Sequence, residues 1–306
     1  QVRSTILSWS KPCRPPWRSR FVEDVSFEHA DLQIVPVFAG GGTRLPAYVG
    51  ILSALEEYRI GFQRMVGTSG GSVVAALYCA GWSVERLYDL AMEVDFSQFR
   101  GFSLASLIRK GGLSSGDAFE GWMDEQLKGA TFRDLPLNLH VVATDVFSQE
   151  PVIFDRSTTP DFKVATAVRF SVGIPLLFTY KPYRDKLLVD GSILAEDALR
   201  RDWGGDGLPL VFFRLRASQT RSGRFRNHYF PLPEYVLMLI RTFLTSLSRE
   251  YVADLYWSKT LLVKTEELSP LEFSLSREDK ERLYSLGYQT AKEYLPLKLK
   301  HCTGLK

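Results

Sequence analysis

The chain has 306 residues, 45% of them hydrophobic and 24% charged, with mean hydropathy near zero, so it is long enough for a large core. A net charge of +3 is too mild to argue for nucleic acid as a partner, and no apolar run reaches the ~20 residues a membrane-spanning helix needs. The three cysteines, Cys13, Cys79 and Cys302, form no C-x-x-C pair and fit neither a disulfide framework nor a zinc or redox motif, in keeping with a reducing compartment.

Residues 1–20 carry Arg3, Lys11, Arg14, Arg18 and Arg20 and no acid, beside Trp9, Trp17 and Pro12, Pro15 and Pro16. No helical or strand period runs through 1–31, which reads as a basic extension to a single domain spanning 32–306. No leader pattern is visible. The chain opens on Gln rather than Met, which leaves secretion open, although a cytoplasmic or peripheral-membrane location is expected.

From Leu32 to Phe38 a short apolar run predicts a strand that breaks into Gly40-Gly41-Gly42. Pro46 suits a helix first turn, and Val49, Leu52, Ala54 and Leu55 give that helix an apolar face to about Tyr58. A brief strand, Phe62 to Val66, precedes a helix from Ser72 to Ala80, closed by Gly81. After an unassigned stretch, the pattern predicts a helix at Asp117–Leu127, strands at Leu137–Thr144 and Val152–Phe154, and a helix at Lys163–Phe170. Strands at Lys186–Val189, Leu208–Leu215 and Leu261–Lys264 follow, with long helices at Tyr235–Tyr256 and Arg277–Leu295. This alternation predicts an α/β fold with a mainly parallel sheet and helices on both faces.

Gly67-Thr68-Ser69-Gly70-Gly71 lies between the second strand and an Ala/Val-rich helix. A sharp strand-to-helix turn can hold a serine hydroxyl clear of the sheet, and small neighbours let the two backbones cross closely. A glycine-rich turn without chemistry would look similar. Gly40-Gly41-Gly42-Thr43-Arg44 supplies converging backbone N–H groups at a helix start, suited to an oxyanion or to phosphate. The spacing of neither G-x-G-x-x-G nor the P-loop is present, which favours the oxyanion.

The serine needs a base. His29, His140, His228 and His301 all lack a persuasive catalytic context, so a carboxylate comes into play. Asp190 ends Leu187-Leu188-Val189 and precedes Gly191, at what reads as a strand's carboxyl edge, where α/β sites lie. Asp145, ending another strand, is the rival. Asp145, Asp155 and Asp161 lack calcium-loop spacing, and neither a metal nor a cofactor is implied.

In this order, the glycine triplet with Arg44, Gly-Thr-Ser-Gly-Gly around Ser69, and Asp190-Gly191 resemble the patatin-like phospholipase family. The likeness extends to Tyr48-Val49-Gly50-Ile51-Leu52, Lys110-Gly111-Gly112-Leu113, Val142-Ala143-Thr144-Asp145 and Gly173-Ile174-Pro175, covering roughly residues 33–295. The sequence departs from the family pattern at Leu45, and at Ser192 with Glu196-Asp197-Ala198 beyond it.

The resemblance implies a three-layer α/β/α sandwich, a Ser69–Asp190 dyad and an oxyanion site at Gly40, Gly41 and Gly42, assisted by Arg44 and the N–H of Gly70. It also implies phospholipid or lysophospholipid esters as substrates, and makes Asp145 a structural strand-end residue. Transfer of the acyl group to an alcohol acceptor, or lipid binding without catalysis, are the alternative readings. Basic residues at Arg14–Arg20 and at Arg221, Arg224 and Arg226 suggest peripheral contact with anionic lipid. The apolar face of Tyr235–Tyr256 is expected to pack on the sheet, with a lid or membrane-docking role as the alternative.

Overall fold

The computed structural model describes residues 32–303 except 100, 102, 194–200, 218–234, 237, 241 and 243–257. The extension at 1–31, the Glu196-Asp197-Ala198 segment, Arg221–His228 and most of the expected helix at 235–256 therefore lie outside the described residues.

The chain forms a mixed α/β fold around a central, mainly parallel sheet, as the alternating pattern predicts. Strands β1 (Val35–Ala39), β2 (Arg64–Thr68), β4 (Asn138–Asp145), β9 (Leu210–Arg216) and β10 (Thr260–Lys264) run parallel in the order β10-β9-β1-β2-β4. Beyond β4 the direction reverses. There β8 (Lys186–Val189) pairs antiparallel with β4, and β7 (Lys181–Tyr183) and β5 (Glu150–Phe154) complete that side. A separate parallel pair joins β3 (Gly112–Ser114) to β6 (Leu176–Phe178).

Side chains alternate across a strand, and this alternation separates two clusters. Phe38, Met65, Val141, Ala143, Val211 and Phe213 join the larger core. That core includes residues of α1 (Leu45–Glu57), α2 (Gly70–Cys79), α3 (Val84–Glu93), α5 (Asp117–Gln126), α6 (Val164–Ser171) and α7 (Arg277–Thr303). The intervening Val35, Val37, Val66, Val142 and Phe212 meet Trp203 and Leu208 in a smaller cluster.

The unassigned stretch before Asp117 contains α3, α4 (Leu104–Lys110) and β3. Ser83 caps α3 by accepting the N–H of Arg86 at 3.3 Å, a local signal the apolar pattern passed over.

Two expectations change. Val236 and Ile240, from the expected helix at 235–256, pack with Leu113, Ile174, Leu177 and Leu271 rather than on the central sheet. And β8 is antiparallel, so Asp190, which follows the end of its own strand, approaches the carboxyl ends of β1, β2 and β4 from the opposite direction. Because Val189 pairs with Thr144, the chain beyond it runs back toward Val142, which itself pairs with Thr68. The reversal brings Asp190 level with the end of β2.

Candidate active site

Strand β2 ends at Thr68, and α2 begins at Gly70. Between them Ser69 adopts φ 50 and ψ −134, a backbone region that non-glycine residues avoid and that marks a strained, over-determined position. Its amide is held by Ser171 Oγ at 2.9 Å, and that hydroxyl donates in turn to the Val142 carbonyl at 2.6 Å. The Ser69 hydroxyl, freed from capping the helix, donates to Asp190 Oδ2 at 2.7 Å.

Asp190 is 1% exposed. Its other oxygen accepts the Ser192 N–H at 2.8 Å, and its own amide donates to the Gly173 carbonyl at 3.0 Å. Burial pushes its carboxyl above the usual aspartate range, against the hydrogen bonds from Ser69 and Ser192 that pull it down. A side chain at Gly191 would run into the Val142 carbonyl, so only glycine allows the loop to press this close to β4.

The glycine loop follows β1. Gly40 donates its N–H to Thr68, with the side-chain hydroxyl at 2.9 Å, and accepts from Gly71 at 2.8 Å. It is therefore a joint between the loop and the serine turn, and its N–H is not available to a ligand. The N–H groups of Gly41, Gly42 and Gly70 make no hydrogen bond among the described residues. Gly42 and Gly70 line the cavity beside Ser69. A Cβ on Gly70 would stand 2.8 Å from the Gly42 nitrogen and collide with the Gly42 carbonyl, so the two amides approach only because residue 70 is glycine.

Arg44 is corrected by the structure. Its side chain is 1% exposed, and its guanidinium donates to the Gly41 carbonyl at 3.0 Å, Thr265 Oγ1 at 2.7 Å and the Leu215 carbonyl at 3.4 Å. It braces the glycine loop from behind and does not line the cavity. Burial draws the guanidinium down to about 10, so it stays charged at neutral pH.

Other braces escaped the sequence reading. Tyr48, one turn along α1, donates to the carbonyls of Ala39 at 3.0 Å and Gly40 at 3.2 Å. Thr43 donates its N–H to the Pro270 carbonyl at 3.0 Å and its hydroxyl to that of Glu272 at 2.7 Å. The Thr–Arg pair after the glycines was the visible signal, but apart from Gly41 its side-chain partners lie more than 170 residues away.

The rival carboxylate and the one fully described histidine are committed elsewhere. Asp145 closes the β4–β5 turn by accepting from Ser148, Phe147, Leu187 and Lys186; these bonds outweigh burial and hold its pKa at about 2. His140 Nδ1 lies 3.2 Å from Asp155, with its ring against Trp203. Among the described residues no three His, Cys, Asp or Glu side chains are grouped as a metal site, and no helix is long and apolar enough to cross a membrane.

Ser69 opens onto a cleft whose empty space, counting the part open to solvent, is ≈ 500 Å³. Val73, Phe99, Phe119, Ile174, Leu177 and Phe273 are among the residues that make its wall apolar. Phe99, Phe119 and Trp122 pack with ring centroids 5.4 to 5.8 Å apart, backing one side of it. An uncharged chain fits such a wall, whose polar lining among the described residues includes the serine hydroxyl, the amides of Gly42 and Gly70, and Thr43, whose hydroxyl is turned to the Glu272 carbonyl.

Residues 37–199 match the family model for patatin-like phospholipase. Protein YqhO of Bacillus subtilis, itself uncharacterized, is 25% identical over 85% of this chain and 97% of its own length. A probable lipid hydrolase, 463L, of invertebrate iridescent virus 6 is 23% identical over 51% of this chain and 59% of its own. Among solved structures, VipD from Legionella pneumophila superimposes with a TM-score of 0.59 at 16% identity, covering 88% of this chain and 67% of that one. At that identity the likeness is one of fold.

Proposed function

This chain belongs to the patatin-like phospholipase family, and from that premise we propose that it is a lipid acyl hydrolase of the phospholipase A or lysophospholipase type. One observation carries the reading: the Ser69 hydroxyl donates to buried Asp190 at 2.7 Å, at the end of an apolar cavity, beside two amides with no hydrogen-bond partner among the described residues.

In this reading Ser69 Oγ attacks the ester carbonyl carbon and Asp190 takes its proton. Negative charge gathers on the carbonyl oxygen, which the N–H groups of Gly42 and Gly70, with Gly41 beside them, stabilise. A single such donor is commonly worth ~3–4 kcal/mol of barrier. Collapse of the intermediate expels the alcohol, which receives the proton from Asp190. Water, deprotonated by Asp190, then attacks the acyl-serine; as the acyl–oxygen bond breaks, Ser69 Oγ takes that proton back and the fatty acid is released.

Burial helps the chemistry. An ordinary aspartate is a weak base for a serine hydroxyl, and a carboxyl raised by desolvation narrows that mismatch. Release of fatty acid from phospholipid and lysophospholipid, compared between wild type, Ser69→Ala and Asp190→Asn, tests the assignment. Both variants are expected to be inactive. Sustained turnover by either would remove it.

A further inference from the structure

Six of the ten large apolar side chains exposed among the described residues are Ile108, Leu176, Tyr180, Tyr235, Met238 and Leu239. All six lie within two residues of one buried cluster or of side chains packed against it. Ile108 follows Leu107, Leu176 precedes Leu177, Tyr180 is two beyond Phe178, and the other three flank Val236 and Ile240. The Tyr180 ring stands over Gly111, at the end of α4, which carries Ile108. The same cluster builds the cavity wall through Ile174, Leu177 and Leu271. Inside it is the pocket lining; outside it is an apolar rim.

Two features set this rim apart from scattered surface hydrophobes. Leu176 holds φ 66, a conformation costly for a leucine, while 42% exposed, so strain is spent presenting an apolar side chain to solvent. And Ile108, 75% exposed, is followed directly by Arg109 and Lys110, both exposed. Apolar side chains bordered by cations match the boundary between acyl chains and anionic head groups.

We propose that this rim docks the protein on an anionic lipid surface, so that an acyl ester passes from the bilayer to Ser69 without crossing water. The inference rests on the lipid-hydrolase reading above, yet its test can fail separately.

Sedimentation with vesicles of equal parts phosphatidylcholine and phosphatidylglycerol, in the Ser69→Ala background, reads docking without hydrolysis. The double variant Ile108→Glu, Leu176→Asn is expected to lose about tenfold or more in vesicle partition, since each lost apolar insertion is worth at least that. With Ser69 intact, its turnover of soluble p-nitrophenyl butyrate should stay within about twofold of wild type. Phe147→Glu, on the exposed β4–β5 turn, should leave both readouts unchanged.

Unchanged sedimentation of the double variant overturns the docking proposal and leaves the functional reading standing. Loss of soluble turnover together with binding makes the rim part of the fold and also overturns it, as does an equal loss in Phe147→Glu. A change in self-association with vesicle binding intact would assign the face to a second copy of the chain. Failure of wild type to cleave any ester would instead sink the functional reading, while sedimentation still reported on docking.

Discussion

Ser171 Oγ accepts the backbone N–H of Ser69 at 2.9 Å, so a residue of α6 holds the strained turn that presents the Ser69 hydroxyl. The bond fixes the backbone and leaves Ser69 Oγ for Asp190. Ser171→Ala would leave a buried amide without an acceptor, costing about 1–3 kcal/mol. The expected result is a kcat lower by about tenfold to a hundredfold with KM nearly unchanged, because the residue positions the nucleophile without lining the cavity. Steady-state kinetics on a soluble ester would show it; a KM effect alone would contradict it.

The raised carboxyl of Asp190 fixes the direction of two pH effects. With Asp190 as the proposed base, activity would need the ionised form, so kcat/KM should fall toward acid with a midpoint above the ordinary aspartate value. A midpoint at or below that value would contradict the assignment.

Stability runs the other way. Below the ordinary value Asp190 is protonated in both folded and unfolded chains; as pH rises, the unfolded chain ionises first and folding loses stability until the folded pKa is passed. Asp190→Asn removes this penalty while keeping oxygen and nitrogen near Ser69 and Ser192. Thermal unfolding at neutral pH should show the variant more stable than wild type. Lower stability at neutral pH would argue against a carboxylate raised by desolvation.

Gly70→Ala tests the oxyanion pocket, since its Cβ would collide with the Gly42 carbonyl. Displacing those amides should lower kcat by about a hundredfold to a thousandfold. Fluorophosphonate labelling of Ser69 should slow in parallel, and normal labelling kinetics would separate the two glycines from the chemistry.

Arg44→Ala would strip hydrogen bonds from Gly41, Thr265 and Leu215 and leave a cavity under the glycine loop. A loss of about 2–4 kcal/mol in stability is expected, with kcat falling as the loop loosens. A variant with full stability and reduced activity would instead return Arg44 to the site itself.

Phe119→Ala should deepen the apolar cavity at the side backed by Phe99 and Trp122. Among p-nitrophenyl esters of rising chain length, kcat/KM should climb by up to about fourfold per methylene that enters the pocket. The length at which the climb stops should move upward in the variant. An unmoved break point would place the acyl chain elsewhere.

Much of this was legible in the chain because it is local. Gly67-Thr68-Ser69-Gly70-Gly71 between an apolar strand and an Ala/Val helix can be read from neighbours alone, since the turn, the small residues and the helix start all lie within a few positions. Periodicity likewise predicted most strands of the central sheet to within a few residues, and the start of the C-terminal helix at Arg277, although that helix runs on from Leu295 to Thr303. The glycine triplet was legible as a loop of amides. Which amides remain unpaired was not.

Only tertiary structure decided that β8 runs antiparallel to β4, because strand direction depends on pairing across more than forty residues and leaves no mark in the strand itself. It also turned Arg44 from a site residue into a brace, since its partners Leu215 and Thr265 come from distant strand ends. And it packed Val236 and Ile240 against Ile174, Leu177 and Leu271, which line the pocket, a choice between two apolar surfaces that helical periodicity cannot make. Side-chain pattern records which residues avoid water; the contacts made across the fold determine which neighbour each one meets.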